Sequence, residues 1–349
     1  MKKIYIFLTL IIAAVTLNAQ PQGYYNGTEG LTGNSLKSAL HNILKNDDHT
    51  SYSGLWGAYQ QTDRKPNGKV WDIYSDIPNG TPPYQFDFGS DQCGNYSNEG
   101  DCYNREHLWA QSWSNNDGTN KTDLHHVFPT DGYVNNRRGN YAFGEVSNAS
   151  WTSRNGSKLG NNKISGFNGT VFEPIDEYKG DIARALLYVS VRYYQEDSGW
   201  SNSDMTNKSV IKDWALNMLL RWHEEDPVSQ KEIDRNDAVY SIQRNRNPFV
   251  DYPEFVHRIW DPYWSVEENE LTVLVNVWPN PATSTVNIKG ENLDAVYMYN
   301  SVGQLVLTLD VMDNDEQTLV DVSGFNSGIY FMNVVSTNGG SVLKKVVVQ

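Results

Sequence analysis

From about Pro279 to the C-terminus the chain is written in short apolar runs separated by Gly and Asn, and this sets what the molecule can fold into. Residues 286–288, 295–299, 304–307, 328–335 and 342–348 read as strands joined by turns, the spacing of a small all-β sandwich. This segment contains no His and no Cys, so chemistry has to be sought upstream of it. A chain of 349 residues is long enough for about two domains, each with its own core. The expected organisation is a mixed α+β domain over 21–265, a linker at 266–277 and the sandwich over 278–349.

The N-terminus carries Lys2 and Lys3, an apolar stretch over 4–15 and the small-residue end Leu17-Asn18-Ala19. This is the pattern of a secretory signal peptide over 1–19, cut after Ala19. The stretch is too short for a confident membrane span, and no later segment reaches the roughly 18 residues one needs. No membrane span is expected, and the mature protein is expected to be secreted or at the cell surface. In such an oxidising setting Cys93 and Cys102 are expected to close a local disulfide; a zinc pair is the weaker reading, because no CxxC spacing is present.

Between these ends, Leu36, Leu40, Ile43 and Leu44 fall at helical spacing over 34–44. Residues 69–74 alternate like a strand before the turn-rich 79–83. Ile182, Ala185, Leu186, Val189 and Tyr193 predict a helix over 181–194, and a further helix is expected over 211–222.

Glu106-His107 says little alone, since a His beside an acid is usually a surface or core residue. The block from Asp123 to Tyr141 changes the weighting, because it gathers His125, His126, Asp123, Asn135, Asn140, Arg137 and Arg138. Together the two blocks supply a base, hard oxygen ligands for Mg²⁺ and cations for phosphate, the parts a phosphodiester hydrolase needs. The net charge of −14 argues against a nucleic-acid binder that relies on a basic surface. That objection weakens where a divalent cation carries the phosphate contact. Trp109 and Trp113 read better as core than as stacking platforms, and Asn245 and Asn247 as loop-stabilising side chains. A second metal site at 222–227 is the weaker reading.

These motifs resemble the endonuclease I family, a group of nucleases with a ββα-metal site. Glu106-His107-Leu108-Trp109-Ala110-Gln111-Ser112 matches the first signature, 123–140 the second, and Asn245-Arg246-Asn247-Pro248-Phe249-Val250 the third. The resemblance implies a ββα-metal nuclease core with surrounding helices. It implies His107 as general base and Glu106 and Asn135 as ligands of one Mg²⁺, with Mn²⁺ or Ca²⁺ as alternatives. Asp123, His125 and Asn140 would then support these groups. Two departures, Ala110 for Pro and His126 for Asn, touch neither ligand nor base.

The arginine that better-known members place between the two motifs is missing, and Lys121 is the only cation between His107 and Asn135. Lys121 and Arg138 are assigned to the catalytic set in its place, with Arg105, Arg137 and Arg246 as other sources of charge. Neighbouring side chains on a strand point to opposite faces, so Glu106 and His107 can share one site only if the chain bends there. Asn135 is expected on a short helix over 133–141.

The tail resembles the type A sorting domain of the type IX secretion system through Pro279-Asn280-Pro281-Ala282, Gly303, Gly328-Ile329-Tyr330 and Lys344-Lys345-Val346-Val347. This implies the type IX secretion machinery as a partner. The function expected is a secreted endonuclease acting on DNA, with RNA as a further substrate, and leaving 5′-phosphates. A carbohydrate-binding or adhesive surface protein is the alternative, and a phosphodiesterase acting on lipids or small nucleotides a third reading. Nothing points to a coiled coil or an obligate partner, and a monomer is expected.

Overall fold

The computed structural model describes residues 20–261, 275–290, 292–300, 304–311, 317–337 and 341–349. The expected signal peptide, most of the expected linker and Gly303 lie outside the described residues. The chain divides into two compact units, with the boundary between Pro262 and Tyr263.

In the first unit, helix α1 (Gly33–Leu44) buries Leu36, Leu40 and Leu44, spaced to form one apolar stripe. Helix α2 (Leu55–Thr62) follows. The strand expected over 69–74 does not form, and only Val70 makes a bridge, to Arg64. Asp72 is the reason: its carboxylate accepts the Tyr74 N–H at 2.8 Å, and its carbonyl accepts the Ser75 and Asp76 N–H groups. An Asp that bonds its own following backbone closes a turn in place of a ladder.

Strand β1 (Tyr103–His107) pairs antiparallel with β2 (Val127–Asp131), setting Glu106 opposite Phe128 and His107 opposite Val127. Helix α3 (Gly132–Arg138) starts directly from β2, so the chain forms a ββα unit. The Asp131 side chain caps α3 by accepting the Val134 N–H at 2.8 Å. Gly139, at φ +56°, stops the helix at Arg138, short of the expected Tyr141.

Strands β3 (Ala142–Phe143), β4 (Val146–Thr152), β5 (Lys158–Asn162) and β6 (Thr170–Glu173) form a sheet in the order β3-β6-β5-β4. Helix α4 (Lys179–Arg192) is buried along its whole length. After the minimal hairpin β7 (Thr206–Asn207) and β8 (Val210–Ile211) come α5 (Asp213–Glu225), α6 (Gln230–Gln243), α7 (Pro248–Asp251) and α8 (Phe255–Trp260). One apolar core takes side chains from α1, α4 and α5 together with Leu108, Trp109, Trp113, Phe143 and Phe172. Trp109 and Trp113 are thus core residues.

The second unit holds β9 (Asn276–Trp278), β10 (Thr285–Lys289), β11 (Leu293–Asn300), β12 (Leu305–Asp310), β13 (Thr318–Asp321), β14 (Gly328–Ser336) and β15 (Ser341–Val348). They form a three-stranded sheet, β13-β10-β9, and a four-stranded one, β12-β11-β14-β15. Val286 and Ile288 from the first and Val296, Met298, Met332 and Val334 from the second bury in one core. The period-2 alternation of these residues makes one face of each sheet apolar. The molecule is α+β: a mixed nuclease-type unit followed by a small all-β unit.

Candidate active site

β1 distributes the chemistry by alternation. Asn104 and Glu106 share one face of the strand, and Arg105 and His107 the other. The β1–β2 register runs without a bulge from Tyr103 to His107, so Glu106 and His107 start from opposite faces, and the chain bends directly after His107, at Leu108 and Trp109. Among the described residues, no hydrogen bond joins the side chains of Glu106, His107 and Asn135.

On the first face, α3 presents Asn135 and Arg138, three residues apart, to Asn104 and Glu106. The Asn135 amide donates to Asn104 Oδ1 at 2.7 Å. Glu106, 1% exposed, accepts the Tyr74 hydroxyl at 2.8 Å and pairs with Arg138 at 3.2 Å on the same oxygen. Burial holds the Glu106 carboxyl above its usual range, although the Arg138 guanidinium, the Tyr74 hydroxyl and the His107 N–H pull it back. Arg138, itself 1% exposed, also donates to the carbonyls of His107 at 2.7 Å and Leu108 at 2.5 Å. Its guanidinium therefore fixes the end of β1 and the Glu106 carboxylate together.

On the second face, His107 Nε2 lies 3.0 Å from the Lys121 carbonyl. A carbonyl only accepts, so Nε2 carries the proton, and Nδ1, 3.4 Å from the Gln111 amide, is the acceptor nitrogen. Burial pushes the imidazole down to about 3, reinforced by the neighbouring His126, so the ring is neutral at pH 7. Tyr52 stacks on His107 with centroids 6.1 Å apart, and it carries the Arg105 guanidinium at 3.6 Å and the Lys121 ammonium at 4.6 Å. Lys121 thus reaches the base from two directions, through its carbonyl and through its charge.

The remaining sequence-derived residues lie further out. Asp123 accepts from Gln243, Tyr188, Tyr193 and the His125 N–H, while the His125 ring bonds the Asn245 carbonyl. Asn140 is exposed and lines a cleft of about 470 Å³ with Ser112, Trp113 and Asn202. Arg246 is tied to Asp251 and Asp237. Asn247 caps α7, and Asn245 bonds the Leu44 carbonyl and the Tyr188 hydroxyl. Arg184 donates to the His223 carbonyl in the segment weighed as a second metal site, and pairs with Glu232. Cys93 and Cys102 are joined as a disulfide.

Sequence reasoning missed Tyr52, Tyr74 and Asn104. For Asn104 the signal was there, because strand alternation places it on the face of Glu106. Tyr52 and Tyr74 meet the site only through the tertiary fold.

The family model described as Endonuclease I matches residues 32–254, and the model described as Secretion system C-terminal sorting domain matches 276–349. The chain is 36% identical over 250 residues to an extracellular ribonuclease of Bacillus subtilis (strain 168), covering 69% of this chain and 80% of that one. It is 26% identical over 130 residues to an endonuclease-1 of Buchnera aphidicola subsp. Acyrthosiphon pisum (strain APS), covering 37% and 44%. To a periplasmic deoxyribonuclease of Aeromonas hydrophila the identity is 27% over 130 residues, covering 37% and 47%.

Proposed function

This chain belongs to the endonuclease I family, and we propose that it is a divalent-metal-dependent endonuclease cutting DNA and RNA with little sequence preference and leaving 5′-phosphates. At the coarser level it is a secreted or cell-surface nuclease, a hydrolase acting on nucleic acids, exported through a type IX sorting domain. The similar proteins are named both for ribonuclease and for deoxyribonuclease activity, which supports a site that takes either sugar.

The observation that carries the reading is the His107 tautomer. With Nε2–H committed to the Lys121 carbonyl, Nδ1, 3.4 Å from the Gln111 amide, is the nitrogen that takes a proton from an attacking water displacing that long contact. A phosphodiester anion beside the ring raises its proton affinity from the low value that burial imposes. Lys121 adds positive charge next to the same ring, and Arg138 keeps the Glu106 carboxylate oriented.

The donor set fits a hard cation. Glu106 supplies a carboxylate, Asn135 and Asn104 supply amide oxygens, and no sulfur ligand stands with them. No cluster of three or more His, Cys, Asp or Glu gathers among the described residues. A site of one carboxylate and amides suits Mg²⁺, which keeps several waters, with Mn²⁺ or Ca²⁺ as substitutes. When bound at Glu106 and Asn135, such an ion offsets the charge on the phosphate oxygens as the bond breaks.

The test is plasmid and RNA digestion by wild type and His107→Ala, with and without EDTA. We expect kcat to fall by about 100-fold or more in the variant at unchanged circular dichroism, and EDTA to abolish cleavage. Normal digestion by His107→Ala purified free of host nuclease would overturn the assignment of the base, and EDTA-resistant cleavage that of the metal.

A further inference from the structure

α3 has a second face that the site above does not use. Tyr133 and Arg137, four residues apart, are neighbours on one side of the helix, and Asn135 and Arg138 lie towards the other. Arg137 is exposed, and its Nε and Nη2 donate to the Tyr133 hydroxyl at 3.2 and 2.7 Å. Its guanidinium carbon is 5.1 Å from the Tyr133 ring centre and 5.7 Å from that of Trp151, and the two rings stand 6.4 Å apart.

Trp151 belongs to β4, the edge strand of its sheet, where Ser147, Asn148, Ala149, Ser150 and Thr152 are all exposed. The half-buried Trp151 indole packs partly against the core of its unit, and on this polar edge a cation and a phenol from the helix that carries Asn135 flank it. No carboxylate pairs with Arg137 among the described residues. Arg184, Arg192, Arg221, Arg235 and Arg246 each have one. In a strongly acidic chain, an exposed guanidinium without a counter-ion, stacked on two rings, matches an unpaired nucleobase with its adjoining phosphate.

Resting on the nuclease reading above, we infer that Arg137, Tyr133 and Trp151 form a stacking site for an unpaired base of the substrate strand flanking the scissile phosphate. Trp151 and Tyr133 give the π-face, and Arg137 gives the charge for the neighbouring phosphate. A paired base inside a duplex has both faces occupied, so the site favours single strands, loops and frayed ends. The enzyme would therefore bind single-stranded substrate more tightly than duplex of the same sequence.

The test is steady-state cleavage of a single-stranded oligonucleotide and the matching duplex by wild type, Trp151→Ala, Trp151→Phe and Arg137→Gln. Stacking on one aromatic side chain corresponds to an effect of about tenfold or more on binding. For Trp151→Ala, KM on the single strand should rise by about that factor with kcat within about twofold, and duplex cleavage should change less. Trp151→Phe should recover most of the loss, and a KM effect confined largely to the single strand is what a purely structural role of the indole would not produce. Should Trp151→Ala unfold by circular dichroism, Trp151→Phe and Arg137→Gln carry the test through their own single-strand KM. Equal KM on both strand forms in every folded variant, against an active wild type, overturns the stacking site alone. A wild type that cleaves neither substrate overturns the nuclease reading, and this inference with it.

Discussion

Asp123 accepts four hydrogen bonds in a place closed to water: Oδ1 from Gln243 and the His125 N–H, Oδ2 from the hydroxyls of Tyr188 and Tyr193. Burial alone would raise its pKa. The adjacent His125 and His126, the Gln243 amide and the His125 N–H outweigh it and hold the carboxyl down at about 2. The role is structural, tying α4 and the end of α6 to the loop before β2. His125 beside it is pushed down to about 4, first by burial, with Asp123 and the Asn245 carbonyl opposing. In an unfolded chain the same ring titrates near 6.5. The unfolded state thus binds the extra proton between these values, so the contribution is fully present above pH 6.5 and lost as pH falls towards 4. Glutamine at this position can still donate to the Asn245 carbonyl but does not titrate. We expect the stability of wild type relative to His125→Gln to shrink by about 2 kcal/mol between pH 7.5 and pH 5. Urea unfolding of both proteins at the two pH values measures it, and a constant difference would mean the buried ring titrates as it does in the unfolded chain.

The N-terminus of α3 is where the elements around the site meet. The loop closed by Cys93 and Cys102 sends the Gly100 N–H to Asp131 Oδ2 at 2.7 Å, while Asp131 Oδ1 caps the helix. The same loop lays the Tyr96 ring against Gly132 so closely that a Cβ there would sit 2.6 Å from it. The disulfide therefore holds the cap, and the cap holds the helix that presents Asn135. Replacing both cysteines by Ser should cost about 2 to 3 kcal/mol on loop-closure grounds and lower kcat several-fold. Calorimetry and plasmid nicking check this; unchanged kcat at reduced stability would separate the loop from the site. At this scale the strongly periodic helices α1, α4 and α5 were legible, because in α1 and α5 one apolar stripe had to face the core and in α4, buried throughout, apolar residues recur at helical spacing. Helix α6 was not, since of its five buried residues only Val239 is apolar, while Glu232, Arg235, Asn236 and Gln243 bury as ion pairs and hydrogen bonds. Its one local signal was the capping box of Ser229 and Glu232. The alternation over 69–74 misled for the converse reason: a strand-like pattern is overridden by one Asp bonding its own backbone. In the site, the motifs named residues, but the pairing of Glu106 with Tyr74 or of His107 with Tyr52 spans more than 30 positions and no local rule reaches it.

At the scale of the whole molecule, the charge works against the substrate. Residues 20–262 carry 32 acidic and 23 basic side chains, and 263–349 carry 10 and 3, so neither segment has an excess of positive charge to gather a polyanion. Most cations in the first unit are already neutralised, as in Lys65–Asp76, Lys179–Glu173, Arg192–Asp47, Lys231–Asp181 and Arg235–Asp63. Lys121 beside the base, Arg137 on α3 and Arg154 beside Tyr84 have no carboxylate partner among the described residues, and each leans on an aromatic ring instead. Lys45, Arg64, Lys208 and Lys212 are likewise exposed; if only Lys121, Arg137 and Arg154 meet the strand, three contacts each releasing about 0.7 of a counterion from a single strand give a slope of about −2 for log(kcat/KM) against log[NaCl]. Measured at constant Mg²⁺ on a single-stranded substrate, the slope should lie near that value and become shallower by about 0.7 in Arg137→Gln. A slope of about −5 or steeper would require a basic surface that these side chains do not provide. A slope near zero would mean that the divalent ion alone meets the phosphates and that Arg137 does not reach the strand.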